Sequence, residues 1–270
     1  MTFETYPDPV HKLLVIGEPE DPWPDYLEEF TLTQTDIPEL IRLVSDQDLR
    51  GIDAEVGLAE QPPEVYAQIH AWRALGQLLA VEAIPALLDL LEQIDELDDD
   101  WYGEEAPDVF ALIGQPAVAR LCAYLADQEQ SMYARIAVGE ALTQIAYRHP
   151  ETRQECIDGI AVVLEGYPQN DETMNGFLVA SLADLGAVEK IGLIEQAFQA
   201  ERVDDSVTGD FEDVRVAMGL LEKRVTPENR PWLDIPPQPP KKNAPRATEK
   251  KEKKKRKQAE KSRHKNRKKK

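Results

Sequence analysis

Residues 64–94 read EVYAQIHAWRALGQLLAVEAIPALLDLLEQI. Val65, Ile69, Trp72, Leu75 and Leu79 recur at helical spacing and lay one apolar stripe along a first helix. Ile84, Leu87, Leu88, Leu91 and Ile94 repeat that stripe on a second helix. Only a few residues around Ala80 and Val81 part the two, so the second helix must return antiparallel to the first. Pro85 falls in the second helix's first turn, where its missing N–H has no intrahelical bond to lose. The stretch is a helical hairpin.

The same design follows three more times. EAPDVFALIG leads into QPAVARLCAYLAD, with Pro116 placed as Pro85 is. SMYARIAVGEALTQIA leads, after Pro150, into ETRQECIDGIAVVLEGY, and ETMNGFLVASLADLG into AVEKIGLIEQAFQA. The residues ending the first helix of each pair, Leu78, Ile113, Ile145 and Leu185, lie 35, 32 and 40 positions apart. A period in that range with two helices per unit marks an all-α solenoid, in which each hairpin buries its apolar face only against its neighbours.

The strings AWRALGQLLAVEAIPALLDLL, FALIGQPAVARLCAYL and ASLADLGAVEKIGLIEQAF resemble HEAT-like repeats of the short, phycobilisome-lyase type. The resemblance covers residues 64–200 and rests on the recurring hairpin corner. The layout from WPDYL (23–27) through HAWRALG (70–76) to NGFLVASLADL (175–185) also resembles a bacterial HEAT-like family. Some of that family's members end in a small cysteine-rich zinc motif; this chain lacks those cysteines, so no metal carries over. The resemblance implies that the second helices line a concave surface. Their polar positions Asp89, Glu92, Arg153, Glu155, Asp158, Glu189 and Glu195 would make that surface mainly acidic and suited to a basic segment of a protein partner.

Outward from the hairpins the chain is less regular. Residues 1–35 are an extended proline-rich lead-in with one short helix near residues 24–30, and residues 37–46 form a short amphipathic helix. The solenoid spans 36–230, closed by a last helix over 211–223 with Val214, Leu220 and Leu221 partly buried. PWLDIPPQPPKKNAP opens a proline-rich linker (231–248), and a Lys/Arg-rich tail (249–270) has no apolar periodicity with which to offset its ordering entropy, so it is expected to be disordered.

Charge divides the chain at the same place. Residues 241–270 hold 17 Lys/Arg and 3 Glu, a net +14, whereas residues 1–240 hold 14 basic and 48 acidic side chains, a net −34. An acidic body repels nucleic acid and anionic lipid; the tail attracts both, and the body as well. Lys253, Lys254, Lys255, Arg256, Lys257, Lys261, Arg263, Lys265, Arg267, Lys268, Lys269 and Lys270 are the candidate contacts to RNA or ribosomal phosphate. With no interleaved aromatics, such contact would be blind to sequence; docking on the acidic body is the competing expectation.

Chemistry is less legible. The insert from Asp95 to Glu105 lacks the spacing of a calcium loop and reads as a solvated connection. Within it Trp101 and Tyr102 either anchor a partner or pack over the adjacent hairpin. Trp72 belongs to the apolar stripe, and His70 and Arg73 share a side of their helix without a nucleophile or orienting carboxylate in view. Cys122 and Cys156 read as buried, inert thiols of a reducing compartment. The sequence has no phosphate loop, nucleophile elbow, metal-ligand spacing, secretory signal or apolar run long enough to span a membrane, which predicts a cytoplasmic protein without cofactor. The reading is a non-catalytic interaction scaffold. The alternative, a chromophore-lyase-like enzyme or its chaperone subunit, rests on the repeat variety alone.

Overall fold

A computed structural model describes residues 5–50, 62–91 and 100–227 of the chain. Met1–Arg224 make one unit; of the other, Val225–Lys270, only residues 225–227 are described. The expected linker and tail lie outside the described residues. Every regular element among those residues is helical. A 3-10 turn (Val10–Leu14), α1 (Tyr26–Glu29), α2 (Ile37–Val44) and α3 (Gln47–Arg50) precede four hairpins. These are α4 (Ala67–Gln77) with α5 (Ile84–Leu91), and α6 (Asp100–Ile113) with α7 (Gln115–Ala126). Next come α8 (Met132–Arg148) with α9 (Arg153–Leu164), and α10 (Glu172–Asp184) with α11 (Ile191–Gln199). Two short helices, α12 (Asp205–Thr208) and α13 (Phe211–Ala217), follow.

The first helices pack on one another in chain order: α2 on α4, α4 on α6, α6 on α8, α8 on α10, and α10 on α12 and α13. In the other layer α7 packs on α9. The arrangement is the expected all-α solenoid of stacked hairpins. Burial shows why the first helices suit its middle. On α8, Ala134, Ala137, Val138, Ala141, Leu142, Ile145 and Ala146 are all buried, because the helix meets α6, α10 and the second-helix layer. A helix apolar on most sides is a core helix. Small residues set the approach: a Cβ on Gly76 of α4 would stand 3.1 Å from Leu112 Cδ1 of α6.

Helix ends are joined across the repeats. Ser131 and Asp171 cap the N-termini of α8 and α10 by accepting from the Ala134 and Thr173 amides. At the C-terminal ends, carbonyls that lack intrahelical partners receive side chains from neighbouring elements. Gln34 Nε2 donates to Leu78 O at 2.8 Å, His149 Nε2 to Ala111 O at 3.0 Å, and Arg153 Nη2 to Leu185 O and Gly186 O.

Two boundaries differ from expectation. Residues 100–105 are not loop but the start of α6, which runs on through Pro107. The proline leaves one carbonyl without its helical bond, and burial of Tyr102, Ala106, Val109 and Phe110 between α4 and α8 offsets that cost. The last helix stops at Ala217, just before Gly219 turns the chain with φ +70°. Leu221 is half-buried as expected, whereas Val214 is fully buried and Leu220 is exposed.

Candidate functional site

Polar side chains on α4 fasten the lead-in. Gly17 O can only accept, so it takes the His70 Nε2–H at 2.8 Å, and Nδ1 then accepts from the Tyr26 hydroxyl at 2.7 Å. Burial, reinforced by the Arg73 charge against the opposing pull of the Gly17 carbonyl and Glu105, holds the imidazole below its usual pKa. Burial also pushes the Tyr26 phenol up to about 12. The Arg73 guanidinium pairs bidentately with Glu105 of α6, donates to Glu20 O at 2.9 Å, and lies 5.0 Å from the Trp23 ring centre. Trp72 Nε1 donates to the same Glu105 carboxylate. Gln77 accepts from the Tyr26 amide and donates to Pro24 O. All of these groups are engaged with one another, which makes the cluster an anchor for residues 17–26.

Where the lead-in stops, the first-helix layer is open. On α6, α8 and α10 one pattern repeats: an exposed aromatic followed seven residues later by an exposed carboxylate. The pairs are Trp101 and Asp108, Tyr133 and Glu140, and Phe177 and Asp184. Seven residues are two helical turns, so each pair shares a face with its members about 10.5 Å apart along the axis. The aromatics are 37%, 55% and 37% exposed. The Tyr66 ring meets Trp101 edge-on at 5.9 Å, and Tyr66 stands seven residues before Arg73. Thus Tyr66, the N-cap residue of α4, continues the aromatic row, and where its neighbours carry a carboxylate α4 has the arginine that the lead-in covers.

Glu140 feels both of its neighbouring carboxylates. Glu140, though its side chain reaches solvent, is raised above the ordinary carboxylate range first by partial desolvation of its carboxyl and then by the charges of Asp108 and Asp184. Asp184 is raised by burial, and the adjacent Tyr147 hydroxyl, which donates to Asp184 O at 2.6 Å, is raised by burial and by the Asp184 charge. No ion pair reaches Asp108, Glu140 or Asp184 among the described residues. The one basic residue within the three intervals, Arg135, is buried and donates to Leu125 O. The face therefore joins rows of aromatic and negative groups without internal neutralisation.

The residues singled out from sequence are distributed differently. Trp101 is exposed and belongs to this face. Tyr102, offered as a partner anchor, is buried instead: it is 1% exposed, donates to Leu87 O at 2.6 Å and lies 4.8 Å from the Trp72 ring. One helical step past Trp101 turns it from solvent into the α4–α6 contact. Asp89, Glu155, Asp158 and Glu195 are exposed on second helices, and Glu189 on the 3-10 corner Val188–Lys190. Asp158 is held below the usual carboxylate range by hydrogen bonds from Lys190 and Gln154, and Arg153 is occupied with the end of α10. Glu92 and the tail cations Lys253–Lys270 lie outside the described residues. Asp108, Tyr133, Glu140, Phe177 and Asp184 were missed, although the aromatic–carboxylate spacing was present in the sequence.

Cys122 and Cys156 are free thiols; burial pushes Cys122 up to about 11 and raises Cys156 as well, which disfavours the reactive thiolate. No helix among the described residues is long and apolar enough to cross a membrane, and no group of three potential metal ligands occurs among them. A family model described as "Protein of unknown function (DUF1186)" matches residues 34–226, and the chain belongs to that family. No curated protein and no solved structure matches the chain.

Proposed function

We propose that this DUF1186-family chain is a HEAT-like interaction scaffold whose first-helix face holds a cationic segment of a protein partner. The observation that carries this reading is the repeated aromatic–carboxylate pair on α6, α8 and α10. Exposed aromatics supply contact area and cation–π attraction of about 0.5–1 kcal/mol each at exposed sites. Nearby carboxylates with no basic side chain between them favour a guest that brings positive charge, which speeds encounter as well as fixing its position. The surface favoured from sequence, on the second helices, has part of its charge already used, as between Asp158 and Lys190.

A fluorescent Lys/Arg-rich peptide titrated into the full chain tests this reading. Neutralising the three carboxylates (Asp108→Asn, Glu140→Gln, Asp184→Asn) removes three partly screened contacts and is expected to weaken binding about tenfold. Unchanged binding in that variant would remove the face from the mechanism. The Lys/Arg-rich tail adds phosphate contact to RNA or the ribosome by charge alone, and deleting residues 241–270 should reduce the salt dependence of RNA binding.

A further inference from the structure

The spacing on the open face says more about the guest than its charge. Aromatic and carboxylate rows stand about 10.5 Å apart along the helix axes. A polyproline II chain rises about 3.1 Å per residue and returns to the same side every third residue, so positions three apart are about 9.3 Å apart on one edge. A β-strand repeats a side at about 6.7 Å or 13 Å and fits less well. A helical guest would match the length, but it needs a continuous apolar groove. Here Glu104 and Gln144 lie among the aromatics and carboxylates.

The molecule already seats a proline-rich segment, though an acidic one, on the same layer. Residues 17–25 of the lead-in contain Pro19, Pro22 and Pro24, have neither helix nor strand, and lie on α4. They are held through main-chain carbonyls: Glu20 O accepts from Arg73 and Pro24 O from Gln77. On the open part, the Trp101 indole N–H and the Tyr133 hydroxyl have no hydrogen-bond partner among the described residues, so they are donors free to meet carbonyls in the same way.

Resting on the proposed scaffold reading, we infer that the guest is an extended, proline-rich segment of a partner polypeptide with a lysine or arginine three residues after a proline. The prolines lie on Trp101, Tyr133 or Phe177, and the cation reaches Asp108, Glu140 or Asp184. Proline rings pack on aromatic faces without a helix to order, because the polyproline conformation is already populated in the free peptide.

The test uses the full chain and three labelled peptides: one built on PPQPPKK, a twin with each proline replaced by alanine, and a twin with each lysine replaced by glutamine. The first is expected to bind, and each twin to bind at least about fivefold more weakly. Tyr133→Ala, at an exposed position, should weaken the first peptide about threefold with an unchanged helical circular dichroism spectrum. Equal binding of the first peptide and its alanine twin overturns the proline requirement and leaves the cationic scaffold standing. Equal binding of the glutamine twin, or no binding by any peptide, overturns both.

Discussion

The Arg73 guanidinium meets the Glu105 carboxylate with two hydrogen bonds, Nε to Oε2 at 2.8 Å and Nη2 to Oε1 at 2.5 Å, and so joins α4 to α6 beneath the lead-in. Arg73 is almost fully buried and Glu105 nearly so. Removing one partner leaves the other charge uncompensated, which costs about 3 kcal/mol or more. Glu105→Ala is therefore expected to lower the Tm by about 10 °C, while the double change Arg73→Met with Glu105→Met costs much less. Thermal denaturation of both variants checks this; equal losses would mean that packing, not charge, is what matters at the pair.

His70 makes the same anchor sensitive to acid. Its folded pKa lies below 6.5, so below that pH the unfolded chain binds a proton that the folded chain refuses. This contribution to stability is complete above pH 6.5 and is lost as pH falls through 6.5 toward the folded value, with a slope of at most about 1.4 kcal/mol per pH unit. Urea denaturation at a series of pH values should show the slope. His70→Gln, whose amide can accept from Tyr26 and donate to Gly17, should flatten it. An identical slope in the variant assigns the effect to another group.

Gly114 begins α7 at φ +76° and ψ −142°, a conformation that only glycine adopts easily. A Cβ there would also stand 2.7 Å from His149 Nε2, displacing the side chain that donates to Ala111 O. Gly114→Ala is expected to cost about 2–3 kcal/mol from strain and the lost bond together. A change within 0.5 kcal/mol in urea titrations would show that the corner relaxes freely.

Glu140→Gln should move stability and binding in opposite directions. Glu140's raised pKa means that its ionised form is disfavoured in the folded state, so at neutral pH the charge detracts from stability. Solvent screening limits the gain to about 0.5 kcal/mol, or about 1–2 °C in Tm, while cationic peptide binding weakens. A variant less stable than the parent at neutral pH contradicts the penalty that burial and the Asp108 and Asp184 charges place on ionised Glu140.

Much of the architecture was readable because hairpins announce themselves locally. Pro85 and Pro116 each stand second in their helices, where the sequence pattern put them. The start of α6 was obscured because acidic residues and Pro107 argue for a loop, and only the packing of Tyr102, Ala106, Val109 and Phe110 between α4 and α8 favours continuing the helix. The open face was harder still. On a helix buried on most sides, position along the stripe does not reveal which narrow strip remains wet; the neighbours decide that. Tyr102 and Trp101 are adjacent in sequence, yet one is enclosed and the other is open.

Helices α6, α8 and α10 run in the same direction, so their peptide dipoles point the same way. The partial positive ends lie near Trp101, Tyr133 and Thr173, and the partial negative ends beyond Asp108, Tyr147 and Asp184. An elongated visitor carrying charge at one terminus thus meets a polarised floor. It should settle with its cationic end toward the C-terminal edge of the layer, which gives the complex a direction as well as a location.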